Sequence, residues 1–299
     1  MKQYYRLLSL LTVSFVLVAG VGAQTNTVAY QKEINEWDAH RVAELKADDG
    51  WLNLVGLFWL DEGKNTFGSG DKNVVVFPAG SIDESAGYFQ RAGNTVKLVA
   101  ETSTPVLVGG KPVKEAVIFN TDMRNIPEVS FGSLRWSVIM RGDKIGIRVR
   151  DLKSPVPAAF KGIERFPANM ALIIPAKLHA PETPGSIAIT NKIGQTTQQN
   201  TPGKLVFNIN KRQYSLDALD DGDSLLIVFG DATNGKTTYP SGRFITVRKP
   251  GADGLTVIDF NKAYNPPCAF TDFATCPLPP SQNILPLAIK AGEKKYGHH

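Results

Sequence analysis

From Trp51 onward, short apolar runs alternate with turn residues along most of the chain. Runs at residues 74–77, 95–100 and 134–140 are typical, and glycines such as Gly142 fall between them. Several short strands at this spacing are typical of an all-β sandwich or barrel. The sequence therefore predicts a mainly β protein, in which functional side chains lie on strand ends and loops.

The one clear exception to the β pattern precedes it, at residues 24–50. Between residues 28 and 48, Tyr30, Ile34, Trp37 and Leu45 recur at helical spacing, with charged residues on the other face. We expect an amphipathic helix that Asp48-Asp49-Gly50 ends.

A Pro-containing segment at residues 151–157 predicts an extended connector between two lobes. The first lobe, residues 51–150, is predicted to be a β-sandwich. The second lobe, residues 155–296, is predicted to be β-rich and barrel-like, with residues 263–296 as a Pro-rich C-terminal wrap.

The first 23 residues have the layout of a secretory signal peptide. Lys2 and Arg6 precede an uncharged apolar run, and small residues lead to a cleavage site after Ala23. The run is shorter than the roughly 20 residues that span a bilayer, although a retained anchor is the alternative. We expect a periplasmic or extracellular protein with no membrane span in the mature chain.

Composition and motifs argue against several classes of function. Lys2 and Arg6 are two of the 33 basic residues, so 31 remain against 28 acidic ones after cleavage. This weak charge and the lack of a basic cluster with aromatics argue against nucleic-acid binding. No phosphate-binding glycine loop or G-x-S-x-G motif occurs. No cofactor is expected, and the sequence does not predict the oligomeric state.

Cys268 and Cys276 are the only cysteines, with seven residues between them. In an oxidising compartment two such cysteines most simply form a disulfide, which we predict here. Free thiols are the first alternative. A metal site is not expected, because two thiolates need two further ligands and the chain has only four histidines.

Polar side chains concentrate near the C-terminus and at one strand end. Arg148 and Arg150, two residues apart on one strand, face the same side and fit a carboxylate or phosphate. An ionic network with Asp151 at the lobe junction is the alternative. Among the prolines and aromatics of residues 228–293, the candidate ligand-binding or catalytic residues are Arg243, Asn261, Tyr264, Asn265, Asp231, Asp259 and Glu293.

Residues 60–113 resemble a forkhead-associated sandwich in the order of their segments, from Leu60-Asp61-Glu62-Gly63 to Val108-Gly109-Gly110. That resemblance implies a β-sandwich that reads phosphothreonine. Ser69 stands where that family usually has an arginine, so the strongest phosphate donor is missing. Ser85-Ala86-Gly87-Tyr88 also lacks the Ser-Arg-x-x-His pattern. We therefore predict the sandwich shape without phosphopeptide binding.

A second resemblance covers residues 30–295 and is carried by several motifs. They are 51–60 (WLNLVGLFWL), 242–244 (GRF), 259–270 (DFNKAYNPPCAF), 276–280 (CPLPP) and 291–294 (AGEK). These segments are similar to the DUF1684 family, which implies a single family fold and no known activity.

Three functions remain open. The first is binding of a small polar or carbohydrate-like ligand where Arg148, Arg150 and Arg243 meet the 259–265 loop. The second is hydrolysis by a carboxylate pair drawn from Asp231, Asp259 and Glu293. The third is a structural, envelope-associated role, in which Arg243 pairs with Asp231 or Asp259 and polar side chains satisfy an irregular backbone.

Overall fold

The computed structural model describes residues 19–101, 105–181 and 185–297. Most of the predicted signal peptide, residues 1–18, lies outside the described residues. The predicted helix is confirmed as α1, Ala19–Lys46. Tyr30, Ile34 and Leu45 are buried on one face of α1, as their spacing predicts. None of the described helices is long and apolar enough to cross a membrane.

The mainly β fold is confirmed, and its first part is a sandwich of strands β1–β11. One sheet has the order β1-β11-β10-β9-β6-β7 and the other the order β3-β2-β4-β5-β8. The strands are β1 Leu54–Trp59, β2 Gly63–Gly68, β3 Val75–Val76, β4 Gly87–Ala92, β5 Thr95–Ala100, β6 Val106–Val108, β7 Lys111–Val113, β8 Glu115–Phe119, β9 Val129–Phe131, β10 Leu134–Arg141 and β11 Lys144–Asp151.

An aromatic cluster fills the space between the two sheets. The rings of Phe67 and Phe89 are 4.8 Å apart, and those of Phe77 and Trp136 are 5.1 Å apart. All four side chains are buried, in the tilted arrangements that aromatic pairs favour. Inward-facing residues at alternate strand positions therefore give the sandwich a core of its own.

The segment after the sandwich differs from the predicted extended connector. A one-turn helix, α2 Val156–Ala159, follows Pro155. Proline is tolerated in the first turn of a helix, because the N–H that it lacks has no intrahelical acceptor there. The prolines of this segment thus lie at the start of a helix, after strand β11 has ended at Asp151.

The second part of the chain contains strands β12–β19. Six of them form one antiparallel sheet in the order β18-β17-β16-β15-β12-β19, and β13 pairs with β14 in a separate hairpin. The strands are β12 Ile173–His179, β13 Gly185–Thr190, β14 Thr196–Thr201, β15 Gly203–Ile209, β16 Arg212–Asp221, β17 Ser224–Phe229, β18 Arg243–Arg248 and β19 Leu255–Asp259.

The edge strands of the six-stranded sheet approach each other, so that the sheet is nearly closed. The hydroxyl of Thr256 on β19 donates to the carbonyl of Arg248 at the end of β18, at 2.8 Å. The barrel-like form predicted from the sequence is confirmed. Its core contains Phe207, Phe229 and Phe260, separate from the core of the sandwich.

The C-terminal segment packs on the barrel with little regular structure. Short 3₁₀ turns occur at Pro267–Ala269 and Ser281–Asn283. The amide of Asn283 donates to the carbonyls of Asp217 and Val228 at 2.9 Å, and its oxygen accepts from the N–H of Asp217 at 2.7 Å. A side-chain amide thus supplies hydrogen bonds that a strand would otherwise provide.

Candidate functional site

Arg243, the first residue of β18, is fully buried and holds the C-terminal segment. Its guanidinium donates to the carboxylate of Asp231 at 2.8 Å and to the carbonyl of Ile289 at 3.0 Å. It also donates to the carbonyl of Ala291 and, at 3.3 Å, to that of Glu293. Burial lowers the pKa of Arg243, while the carboxylate of Asp231 opposes that shift.

Glu293 is also fully buried and connects this arginine to helix α1. One carboxylate oxygen accepts from the backbone N–H of Asn265 at 2.6 Å. The other lies 3.5 Å from Nε of Arg41 on α1 and 3.8 Å from Nη1 of Arg165. Burial raises the pKa of Glu293, and Arg41 and the N–H of Asn265 oppose that rise.

Three arginines and three carboxylates form this group, which we call the arginine network. Its members are Arg41, Arg165, Arg243, Asp38, Asp231 and Glu293. Its formal charge is zero, as expected for ionic groups held away from water. The Arg243–Asp231 pair is the ion pair that the structural alternative anticipated.

Two of the three candidate catalytic carboxylates lie inside this network. Asp231 is 5 % exposed and Glu293 is not exposed. Asp231 also accepts from the N–H and hydroxyl of Thr233, at 2.8 and 2.6 Å. Neither carboxylate is accessible to a substrate, which removes the geometric support for hydrolysis by these two groups.

The third candidate, Asp259, anchors the N-terminal helix. The hydroxyl of Tyr30 lies 2.8 Å from both of its carboxylate oxygens. Burial, with the hydrogen bond to Asp259 next in size, raises the pKa of Tyr30. The buried Asn261 accepts from the N–H of Asn169 and donates to its carbonyl, so both residues join chain segments together.

Arg148 and Arg150 on β11 have contacts other than those of Arg243. Arg150 donates to the carbonyl of Asp49 at 2.9 Å. The guanidinium of Arg148 lies 5.4 Å from the ring centroid of Trp51. Asp151 accepts from the N–H of Lys153 at 2.9 Å, and no ion pair joins it to Arg148 or Arg150 among the described residues.

Arg148 is 7 % exposed, and its Nε and Nη2 have no hydrogen-bond acceptor among the described residues. Burial lowers its pKa to about 10, with the charges of Arg141 and Arg150 acting in the same direction. The guanidinium shares a neighbour with the two cysteines, because Trp51 also packs against the hydrophobic cluster that contains Cys268 and Cys276.

The predicted disulfide is not formed in the structure, where Cys268 and Cys276 are free, buried thiols. The N–H of Cys268 donates to the sulfur of Cys276 at 3.1 Å, and the N–H of Cys276 donates to the sulfur of Cys268 at 3.2 Å. The thiol of Cys268 also donates to the carbonyl of Ala274 at 3.3 Å, so both sulfurs have hydrogen-bond partners.

A cavity of about 200 Å³ lies between α1 and the barrel, and Arg41 of the arginine network is among the residues that line it. We call it the α1 cleft. Its lining residues are Trp37, His40, Arg41, Glu44, Thr246, Lys262 and Tyr264. Only Tyr264 was among the site residues predicted from the sequence, so the cleft brings one of those residues together with six others.

The residue spacing in α1 could have indicated the cleft residues of the helix that were not predicted as site residues. Trp37 and Arg41, like His40 and Glu44, are four residues apart and lie on one stripe of α1. The barrel side of the cleft, with Thr246 and Lys262, could not be assigned from a linear pattern. It faces α1 only because β18 and the turn after β19 pack against the helix.

Fold and site together define a mainly β protein with a helix-covered, charged cleft and a buried ionic network. Residues 158–294 match the family described as a protein of unknown function, DUF1684. The resemblance to this family is therefore confirmed over the barrel and the C-terminal segment. For residues 30–157 it stays a prediction.

Two solved structures are similar to parts of the chain. An uncharacterized protein of Haloarcula marismortui, solved by solution NMR, is 29 % identical over 46 % of this chain and 79 % of its own, with a TM-score of 0.39. A structure from work on phosphothreonine-dependent FHA domain interactions is 19 % identical over 31 % of this chain and 92 % of its own, with a TM-score of 0.20. The search of curated proteins found no match.

Proposed function

We propose that this is an exported binding protein for a small polar, carbohydrate-like ligand, and that the α1 cleft is its binding site. The observation that carries the proposal is the lining of the cleft, where two cations and a carboxylate lie beside two aromatic rings. The cations are Arg41 and Lys262, the carboxylate is Glu44, and the rings are those of Trp37 and Tyr264. Charged and aromatic groups at one cavity suit a ligand that has both hydroxyl groups and a ring face.

Donors and an acceptor both line the cleft. Glu44 supplies a carboxylate, and Arg41 and Lys262 supply cationic donors. This mixture suits a hydroxyl group, which can accept from one group and donate to another. The lining therefore supports a hydroxyl-rich ligand over a purely anionic one.

The remaining walls combine aromatic surface with charge. The rings of Trp37 and Tyr264 are 6.3 Å apart, and Arg41 lies 4.8 Å from the centroid of Tyr264. Burial raises the pKa of Tyr264, so its hydroxyl remains a neutral group near Thr246. Aromatic faces with a polar rim suit a sugar ring, and about 200 Å³ limits the ligand to one small ring.

The proposal includes export, with cleavage near Ala23, and the division into a sandwich at 51–150 and a second lobe at 155–296. The signal-peptide layout of the N-terminus supports export. The two separate cores support the division. N-terminal sequencing of the protein recovered from the periplasm or medium tests the export proposal, and a mature chain that still begins at Met1 would refute it.

Ligand binding is tested by calorimetry and thermal shift with single monosaccharides and sugar acids. Trp37→Ala and Lys262→Ala each remove part of a cleft wall, and we expect at least a tenfold loss of affinity. Lys249→Ala is the matched control, because Lys249 also pairs with a carboxylate but does not line the cleft. No binding by the wild type, or equal binding by all variants, would refute the α1 cleft as the site.

A further inference from the structure

Another cavity, of about 300 Å³, lies where the β13–β14 hairpin crosses the barrel. The hairpin is held at both ends. The hydroxyl of Thr201 donates to the carbonyl of Ala218 on β16 at 2.7 Å, and the amide of Gln195 donates to the carbonyl of Arg141 on β10 at 2.7 Å. We call this cavity the hairpin pocket. It shares no lining residue with the α1 cleft, and cavities at such junctions are common ligand sites.

The floor of the hairpin pocket is an apolar part of the barrel surface. Leu219 on β16 and Leu226 on β17 lie directly opposite each other in the antiparallel register. Their chain neighbours Ala218 and Leu225 belong to the buried core of the barrel, so Leu219 and Leu226 face outward into the pocket. Ile189 on β13 lines the pocket from the hairpin. An apolar group of a ligand can therefore be enclosed between the hairpin and the barrel.

One wall of the pocket has a cation without a carboxylate partner. Arg141 is the last residue of β10. Its Nε donates to the hydroxyl of Thr275 at 3.0 Å, and its Nη1 donates to the carbonyl of Met140 at 2.7 Å. Among the described residues no carboxylate pairs with Arg141, and Nη2 has no acceptor. The two bonds hold the guanidinium in place and leave N–H groups for the carboxylate of a ligand.

The rim of the pocket has a carboxylate that also lacks an ion-pair partner. Asp221, the last residue of β16, lies two positions after Leu219 and therefore on the same face of the strand. Its neighbour Asp220 pairs with Lys249 at 2.7 Å, whereas no ion pair involves Asp221 in the described part of the chain. The hairpin pocket thus combines an apolar floor with a cation and a carboxylate that pair neither with each other nor with other described residues.

We propose that the hairpin pocket binds a free α-amino acid with a branched apolar side chain, such as leucine. The carboxylate of the ligand binds the guanidinium of Arg141, its ammonium group binds the carboxylate of Asp221, and its side chain packs on Leu219 and Leu226. A zwitterion supplies a partner to both charged groups, which a neutral sugar or a simple organic acid does not. A volume of about 300 Å³ is at the lower end for ligand sites and suits one amino acid better than a peptide.

Calorimetry with L-leucine and two analogues that each lack one charge tests both contacts. Leucinamide lacks the carboxylate, and N-acetyl-leucine lacks the ammonium group. Titration at about pH 6.5 keeps the amine of leucinamide protonated, because an α-amino group has a pKa of about 7.7–8.0. We expect the wild type to bind leucinamide about tenfold less tightly than leucine, because hydrogen bonds to a charged group are lost. N-acetyl-leucine should bind about fivefold less tightly, a smaller loss because Asp221 is exposed.

Two variants assign each charge of the ligand to its protein partner. Arg141→Met should weaken the binding of leucine about tenfold and leave the binding of leucinamide unchanged. Asp221→Asn should weaken the binding of leucine about fivefold and leave that of N-acetyl-leucine unchanged. Lys144→Met and Asp223→Asn are the matched controls. Lys144 lies opposite Arg141 in the register and Asp223 lies in the turn after β16, but neither lines the pocket.

The test distinguishes this pocket from the α1 cleft and does not depend on one variant. Asp221→Asn changes an exposed strand end, so it gives a result even if Arg141→Met fails to fold. Trp37→Ala, which changes only the α1 cleft, should leave leucine binding unchanged. No binding of leucine by the wild type, equal affinity for leucine and both analogues, or loss of leucine binding in Trp37→Ala would overturn the proposal. A variant that weakens leucine and its matched analogue alike would also overturn it.

Discussion

Replacement of Arg243 by methionine should strongly destabilise the protein, because this buried side chain of β18 holds the C-terminal segment. Methionine fills similar space but removes the ion pair with Asp231 and the donors to three backbone carbonyls. Loss of one partner of a buried pair costs about 3–5 kcal/mol. Each buried carbonyl left without a donor costs about 1 kcal/mol or more.

Because these losses share one side chain, they do not simply add, and we expect a decrease of about 4–6 kcal/mol in the free energy of unfolding. Urea unfolding followed by tryptophan fluorescence measures it, with Lys249→Met as a surface control whose cost should stay below about 1 kcal/mol. Where the single variant does not fold, Arg243→Lys keeps the charge and makes the comparison measurable.

The double variant Arg243→Met with Asp231→Asn separates the charge from the hydrogen bonds. Neutralising Asp231 removes the unpaired buried charge. The loss of unfolding free energy in the double variant should therefore be about 2 kcal/mol smaller than the sum of the losses in the two single variants. A cost below about 1 kcal/mol for Arg243→Met would refute the conclusion that this arginine holds the C-terminal segment. Strict additivity in the double variant would refute the ion pair as its cause.

Three further changes test other parts of the fold. Gly292→Ala should cost more than Gly162→Ala in unfolding free energy. Both glycines have positive φ, but a Cβ at Gly292 would lie 2.4 Å from a backbone oxygen, whereas at Gly162 it meets nothing within 4 Å. Glu293→Gln should gain stability relative to the wild type as the pH rises from about 4, because a carboxyl whose folded pKa is raised loses its contribution as pH rises through that pKa. Chemical unfolding at several pH values measures this, and parallel pH profiles would contradict it. Tyr30→Phe should cost about 1–3 kcal/mol in thermal or urea unfolding, through the lost bond to Asp259, and no change would argue against helix α1 being anchored there.

The position of the missed cleft explains why the predicted ligand site did not assemble as expected. Arg148, Arg150 and Arg243 are all strand residues with strong donors, and the sequence contains no indication of which partner each one meets. In the structure Arg243 turns toward the C-terminal carbonyls, and Arg150 turns toward the turn after α1. The residues of the α1 cleft come instead from helix α1, from strand β18 and from the segment after β19, and the helix is more than 200 positions from the other two in the chain.

The sequence by itself determined the features that depend on residues close together in the chain, such as strands, turns and the buried face of the helix. The alternation of apolar runs and glycines specified the strands, because a strand and its turn are set by residues a few positions apart. The spacing of Tyr30, Ile34 and Leu45 specified α1 and the face that it buries. The motifs after residue 158 predicted a resemblance to DUF1684, whose family model matches residues 158–294.

Only the tertiary structure decided which charged groups meet. Glu293 contacts Arg41 from α1 and Asn265 from the loop after β19. Asp231 and Arg243 are close in sequence, yet the three carbonyls that complete the site of Arg243 lie about 50 residues further on. A guanidinium accepts any suitably placed oxygen, so its partners follow from the packing of the whole chain and not from the residues beside it.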